Sequence, residues 1–332
     1  MVYLYVKRIK NNKYYSLRKT IRTGNKTTSK YICSLGKEIS KINLKEVIKR
    51  YDLGDYSNLL KKYLEYHINI EDVEKTNIKE NIFFSRIQLN EINAVLRHVE
   101  SRSTKLKEIS KKRIIEKFNI KFIAENISLE GNTLYFKDVK KLIDENLTSK
   151  NMSPLDISSI INNNETLNFL KTKKPPINFK LIEEIHDKIY PITRIKGYRK
   201  SELKINKNKF ISSAPQKIES DLKDLIKWFN NNKNKIHPLA LTIMFHHKFE
   251  KIHPFIGKNG EIGRILLNYM LKYFNYPPII ISVKYKNEYL TNMNKAHKAT
   301  KDELLKIDYK SYKPLIDFMQ KQFVKTYWNN FV

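Results

Sequence analysis

Residues 253–264 read HPFIGKNGEIGR and lie between two segments with helical patterns. The preceding residues 238–252 have a helical pattern, and a second helical pattern begins near Gly260. A glycine-containing loop before a helix lets backbone N–H groups converge at the helix start, where the helix dipole also favours an anion. The sequence therefore predicts an anion-binding loop that is shaped by Gly257 and Gly260.

Two side chains flank this loop. His253 lies immediately before it and is a candidate general base for a hydroxyl group that attacks phosphorus. Arg264 lies one turn into the second helix, where its guanidinium is able to reach a bound phosphate with two hydrogen bonds. A base, an anion-binding loop and an arginine together indicate phosphoryl-type transfer.

The stretch resembles the signature of the Fic family, His-x-Phe-x-Asp/Glu-Gly-Asn-Gly-Arg-x-x-Arg. The positions that match at the right spacing are His253, Phe255, Asn259, Gly260 and Arg264. The segments FHHKFEKI (245–252) and ILLNYML (265–271) also resemble the helices on either side of that signature. The resemblance implies a mainly α protein with a Fic-type helical core and an inserted β-hairpin.

The family's activity is implied by the same resemblance. It is protein adenylyl transfer, in which AMP moves from ATP to a Ser, Thr or Tyr hydroxyl of a target protein. The catalytic residue would be His253. The nucleotide-binding residues would be Lys258, Asn259, Gly260 and Arg264, of which Lys258 departs from the family's glycine.

Two other segments resemble parts of Fic proteins. Residues 126–132, NISLEGN, look like the end of an inhibitory helix, which we expect over about 113–131. The resemblance implies that Glu130 pairs with Arg264 and displaces the nucleotide γ-phosphate. Residues 197–211 are similar to the flap, a hairpin that docks the target. The docking residues expected there are Leu203, Lys204 and Ile205.

The loop departs from the signature at Gly257, Lys258 and Glu261. Gly257 replaces the acidic ligand of Mg²⁺, so no protein metal site is predicted and Mg²⁺ would be held mainly by the nucleotide phosphates. Glu261 is expected to pair with Arg264 at the i,i+3 spacing, and Lys258 to bring a cation into the loop.

These departures leave three hypotheses open. The first is AMP transfer. The second is a weak or altered activity, since other family members transfer phosphate, UMP or phosphocholine. The third is a catalytically dead Fic-fold module that binds a nucleotide, nucleic acid or another protein. Zinc hydrolysis is not expected, because His246 and His247 are adjacent and no His-Glu-x-x-His spacing exists.

The chain before this core has a different pattern. Residues 1–36 are rich in β-forming residues and contain two turn-like segments, so they predict a small antiparallel meander. Residues 37–83 predict a helical connector, and residues 84–332 the Fic-type helical domain. The other helices expected lie near 44–51 and 56–67, after Ser153 and Asn178, and over 216–229, 238–252, 260–274, 286–300 and about 309–330.

Composition adds two expectations. Lys and Arg number 64 against 34 Asp and Glu, a net charge of +30, which fits either a polyanion-binding surface or compositional drift towards lysine. Nucleic acid is therefore retained as a partner, through the basic and aromatic N-terminal region. No apolar stretch is long enough to span a membrane, and there is a single cysteine. We expect a cytoplasmic protein without a membrane partner, and a homodimer is the assembly considered.

Overall fold

The computed structural model describes residues 2–10, 12–24, 26–150, 152–190, 197–203, 212–299 and 303–332. The chain divides into two compact units. The first unit comprises Met1–Lys79, Arg86–Ser101 and Val332, and the second comprises Glu80–Ser85 and Arg102–Phe331.

The first unit contains the meander that the sequence predicts. Its strands are β1 (Val2–Ile9), β2 (Asn12–Thr23) and β3 (Lys26–Gly36), which form one antiparallel sheet in the order β1-β2-β3. Three helices belong wholly or largely to this unit: α1 (Leu44–Arg50), α2 (Ser57–Glu74) and α3 (Arg86–Lys105). Val2, Leu17 and Cys33 of the sheet form one buried cluster with Leu53 and Leu60.

The second unit is helical throughout its described part. Its helices are α4 (Glu108–Leu129), α5 (Phe136–Glu145), α6 (Pro154–Lys173), α7 (Phe179–Ile189), α8 (Ile218–Asn232), α9 (Pro238–Ile252), α10 (Asn259–Tyr273), α11 (Lys286–Ala299) and α12 (Tyr309–Asn330). A mainly α fold with an N-terminal sheet is thus confirmed. None of the helices within the described residues is both long and apolar enough to cross a membrane.

Helix α9 is the centre of the second unit, and every residue from 239 to 249 is buried. A helix with apolar residues on all sides must be surrounded by other elements. Two of its histidines each have one internal polar contact: His246 Nε2 lies 2.7 Å from the Tyr289 hydroxyl, and His247 Nδ1 lies 2.7 Å from the Tyr312 hydroxyl. Both histidines are buried packing residues.

The helix starts follow local capping signals. The Ser153 hydroxyl accepts a hydrogen bond from the Asp156 N–H, and the Asp156 carboxylate accepts one from the Ser153 N–H, which is a capping box. Asn178 caps α7 by accepting from the Leu181 N–H at 2.9 Å. Helix α5 has no counterpart among the sequence predictions, because it is only ten residues long and buries only Val139 and Leu142.

The flap hairpin lies largely beyond the described residues. Lys204 and Ile205, two of the three expected docking residues, are outside the part of the chain that the structure describes. Leu203 is half-buried, and the described residues 197–203 contain no strand.

Candidate active site

His253 ends helix α9 in the left-handed region, with φ of 51°, and its N–H still donates to the Phe249 carbonyl at 3.0 Å. A non-glycine residue in this region is uncommon and often marks a functional site. The ring Nδ1 lies 3.3 Å from the Glu250 carbonyl oxygen, so we assign the proton to Nδ1, which makes Nε2 the basic nitrogen. Burial lowers the pKa of His253 to about 4, and the charge of Arg199 adds to this effect. The imidazole is therefore neutral at pH 7.

Asn259 braces the loop that follows His253. Its side-chain Oδ1 accepts from the Phe255 N–H at 3.0 Å, and its Nδ2 donates to the Phe255 carbonyl at 2.8 Å. Asn259 is only 2% exposed, and the Phe255 ring stacks on buried His186 with centroids 3.9 Å apart. The amide group of Asn259, predicted to bind nucleotide, thus fixes the shape of the loop in this structure.

Arg199 attaches the described ends of the flap to the same loop. It is 1% exposed, and its Nε donates to the His253 carbonyl at 2.8 Å. Its Nη1 donates to the Ser201 carbonyl at 2.9 Å and its Nη2 to the Ser212 hydroxyl at 3.1 Å. The Arg199 N–H also donates to the Pro254 carbonyl at 2.9 Å. Sequence reasoning missed this positioning role, because a single arginine in a Gly-Tyr-Arg segment carries no pattern that marks it.

Arg264 projects from α10 into the end of α4. Its Nε donates to Asn126 Oδ1 at 2.6 Å, and its Nη2 donates to the Asn126 carbonyl at 3.0 Å and to Glu130 Oε1 at 2.7 Å. The Arg264 side chain is 5% exposed. Burial would lower the pKa of Arg264, but Glu130 and neighbouring groups raise it above its ordinary value, so the guanidinium stays charged.

Glu130 lies over the start of α10. It is the C-cap residue directly after α4, and the chain leaves the helix there because Gly131 adopts a φ of +113°. A Cβ atom at Gly260 would collide with the Glu130 carboxylate, so only glycine lets the carboxylate lie there. Burial acts to raise the pKa of Glu130, but Arg264 and then Lys258 hold it below its ordinary value. An ionised carboxylate therefore occupies the place where the sequence predicts an anion.

Lys258 and Glu261 form a pair of their own, and here one expectation from the sequence was wrong. Glu261 was expected to pair with Arg264, but its Oε1 pairs with Lys258 Nζ and its Oε2 accepts from Asn163 Nδ2 at 3.0 Å. Glu261 is fully buried, and Lys258 Nζ also reaches the Ser159 hydroxyl at 3.3 Å. The two side chains do not meet because they point in different directions, Glu261 towards α6 and Arg264 towards α4.

The loop does not fit a protein-bound Mg²⁺ ion. Gly257 stands where the acidic ligand would be, and its two chain neighbours apart, no atom of the described residues lies within 4 Å of the place where its Cβ would be. The nearest carboxylate in sequence, Glu261, is buried and engaged with Lys258 and Asn163. Mg²⁺ prefers several oxygen ligands in octahedral geometry, and the side chains of this loop supply none that is available.

The described site consists of two helices joined by a short loop, with a neutral histidine before the loop and a buried arginine after it. This architecture defines the class of the site. Residues 176–271 match the Fic/DOC family. A Fic domain containing signaling protein from Bacteroides thetaiotaomicron has a similar structure, with a TM-score of 0.64 and 24% identity over 70% of this chain and 94% of that one. Fic-1 from Caenorhabditis elegans superposes with a TM-score of 0.59 and 16% identity, covering 81% of this chain and 87% of that one.

Curated relatives agree with this assignment. Protein adenylyltransferase fic-1 from Caenorhabditis elegans is 22% identical over 193 residues, 56% of this chain and 38% of its own length. Protein adenylyltransferase Fic from Nematostella vectensis is 24% identical over 195 residues, 56% of this chain and 45% of its own. The chain spans less than half the length of these two relatives. The family match thus covers residues 176–271, and the fold around them is similar to that of solved Fic domain structures.

The buried Lys258–Glu261 pair generates a stability prediction. Lys258→Met leaves the fully buried Glu261 carboxylate without its cation, so we expect the free energy of unfolding to fall by about 3 kcal/mol. The double variant Lys258→Met, Glu261→Met buries no charge and should recover most of this loss. Urea denaturation measures both.

The matched control is Lys223→Met, which breaks an exposed pair with Glu219 on α8. Exposed pairs contribute little, so a loss under about 0.5 kcal/mol is expected. If Lys258→Met is no more costly than this control, the pair has no structural role.

Proposed function

We propose that this protein is an adenylyltransferase that transfers AMP from ATP to a hydroxyl group of a target protein, and that Glu130 holds it inactive. The observation that carries the proposal is the contact of the Glu130 carboxylate with Arg264, over Gly260 and beside the loop that follows His253. The names of the relatives supply the reaction class, and the arrangement of these groups is consistent with it.

In this proposal His253 acts as the general base. Its Nε2 takes the proton of a Ser, Thr or Tyr hydroxyl of the target, the hydroxyl oxygen forms a bond to the α-phosphorus of ATP, and the bond from that phosphorus to the bridging oxygen breaks. Pyrophosphate leaves, and AMP stays on the target. A neutral imidazole is the form that accepts the proton, which agrees with the lowered pKa of His253.

The triphosphate would occupy the space that Glu130 now fills. Backbone N–H groups at the start of α10 stabilise anions, and Arg264 would exchange the Glu130 carboxylate for a phosphate oxygen. Its two hydrogen bonds to Asn126 hold the guanidinium in place during this exchange. Lys258 would add a cation beside the loop, paired with Glu261.

Regulation would then follow from a competition between two anions for one guanidinium. A bound γ-phosphate and the Glu130 carboxylate cannot both contact the same side of Arg264. A movement of the end of α4 by about one or two ångströms would break the hydrogen bond between Glu130 and Arg264 and so release the guanidinium. With Glu130 bound to Arg264, the protein would therefore have almost no AMP-transfer activity.

Removal of the Glu130 carboxylate should activate the protein. Glu130→Ala frees Arg264 for a charge-assisted contact worth about 1.5–3 kcal/mol, so ATP affinity should rise roughly 10- to 150-fold, and AMP transfer should rise with it. Titration calorimetry and incorporation of labelled AMP measure the two effects. Glu116→Ala removes an exposed carboxylate from the same helix and should change neither. Equal behaviour of the two variants would show that Glu130 is an ordinary helix residue.

His253 should be needed for transfer but not for ATP binding. In the Glu130→Ala background, His253→Ala should lower the rate by ~10²–10⁴ with little change in ATP affinity. Because the pKa of His253 is lowered to about 4, the base stays neutral down to that pH. The rate should therefore fall only as the pH approaches 4, whereas an ordinary histidine would lose activity near pH 6.5. An acidic limb near pH 6.5 would contradict the assignment.

A carboxylate at position 257 should introduce metal dependence. The Cβ of Gly257→Asp enters open space, and the backbone there is not left-handed, so the variant should fold. In the Glu130→Ala background we expect tighter ATP binding in the presence of Mg²⁺ but not in EDTA, by calorimetry. Gly257→Asn, which is equal in size but uncharged, is the control. If Asp and Asn behave alike, position 257 does not face the triphosphate.

A further inference from the structure

The N-terminal sheet is more strongly basic than the rest of the chain. Residues 1–37 contain ten lysines and arginines and no aspartate or glutamate. At the chain's average of 34 acids in 332 residues, about four would be expected in 37. A compositional drift towards lysine would not by itself remove those aspartates and glutamates. A third of the net charge of +30 lies in about a ninth of the length, so this segment has a charge distribution of its own.

Seven of the ten cations lie at three places in the sheet. At the β1–β2 turn, Lys13 pairs with Glu74 of α2, and Arg8 lies 3.5 Å from the same carboxylate. In the middle of the sheet, Arg18 lies over the Tyr5 ring, 3.9 Å from its centroid. The remaining group lies towards the β2–β3 turn and consists of Lys19, Arg22, Lys26 and Lys30. All four are exposed, and none forms an ion pair with an acid of the described residues.

These last four cations lie on a two-stranded ribbon. Within the described residues, β1 pairs with β2 only as far as Lys19, but β2 and β3 continue to pair up to Thr23 and Lys26. From 21 to 30 the described residues are exposed, so both faces of the ribbon are open to solvent. We call residues 19–24 and 26–30 the basic ribbon.

One cross-strand pair of the basic ribbon brings two positive charges together. Lys19 lies directly opposite Lys30 in the register. Like charges at directly opposed positions destabilise a sheet, so a partner that supplies negative charge along the ribbon would relieve this repulsion. Tyr31, which is 55% exposed, follows Lys30 and adds an aromatic surface beside the cations.

We propose that the basic ribbon binds double-stranded DNA. Two antiparallel strands lie about 4.8 Å apart, and five paired residues extend over about 15 Å, which suits the B-DNA major groove, about 12 Å wide. Lysines and arginines on both strands then reach phosphates on either side of the groove. The deep, narrow major groove of duplex RNA does not admit such a ribbon. This binding is independent of the proposed AMP transfer.

The test is fluorescence anisotropy of the full chain with a labelled DNA duplex of about 20 base pairs, at several salt concentrations. The ribbon variant carries Lys19→Gln, Arg22→Gln, Lys26→Gln and Lys30→Gln. The control variant carries Lys171→Gln, Lys173→Gln, Lys180→Gln and Lys235→Gln, four exposed cations of the helical unit, so its net charge is the same. All eight positions are exposed, and thermal melting checks that both variants fold.

The ribbon variant should bind the duplex at least ~10-fold more weakly at 0.1 M salt, and its salt dependence should fall by about 0.9 per lost phosphate contact. The control should change affinity by less than ~3-fold. Equal losses in both variants would overturn the proposal, because only net charge would then matter. It would also be overturned if single-stranded DNA, duplex RNA or phosphatidylserine vesicles bound as tightly and with the same dependence on the ribbon.

Discussion

The guanidinium of Arg264 must be paired wherever it lies, because an unpaired charge with 5% exposure is too costly to keep. Its partners are the carbonyl and side-chain oxygens of Asn126 and the carboxylate of Glu130, all at the end of α4. The same contacts hold α4 on α10 and place a carboxylate over Gly260. A carboxylate at the C-terminal end of a helix is opposed by the helix dipole, so Glu130 depends on Arg264 as much as Arg264 depends on it.

The departures of the loop from the Fic signature are easier to explain from the structure than from the sequence. Position by position, Gly257, Lys258 and Glu261 are three separate departures from the Fic signature. In the structure two of them compensate each other, since Lys258 neutralises the carboxylate that Glu261 buries. The third leaves open space and removes a metal ligand. The loop therefore keeps its shape through Asn259 and its charge balance through Lys258, and Arg264 keeps its place.

Much of the fold could be predicted, because long periodic segments and caps are local signals. Helices α9 and α12 have the bounds expected from the sequence, and Ser153 and Asn178 cap their helices as expected. Short α5 was missed because its apolar side is too small to stand out. At the site, the family motif located His253 and Arg264, but the partners of Arg199 and Glu261 depend on which way a side chain turns. Such directions arise from tertiary packing, and no spacing in the sequence encodes them.

Cations have different surroundings in the two units, although lysine is abundant in both. In the helical unit, three cations of low exposure have close partners: Lys258 pairs with Glu261, Arg264 pairs with Glu130, and Lys248 Nζ donates to the carbonyls of Leu304 and Lys306. Within the described part of the chain, the ion pairs of the sheet join Glu74 of α2 to Arg8 and Lys13 near the β1–β2 turn. The ion pairs of the helical core cancel in the net charge of +30, whereas the cations of the basic ribbon add to it.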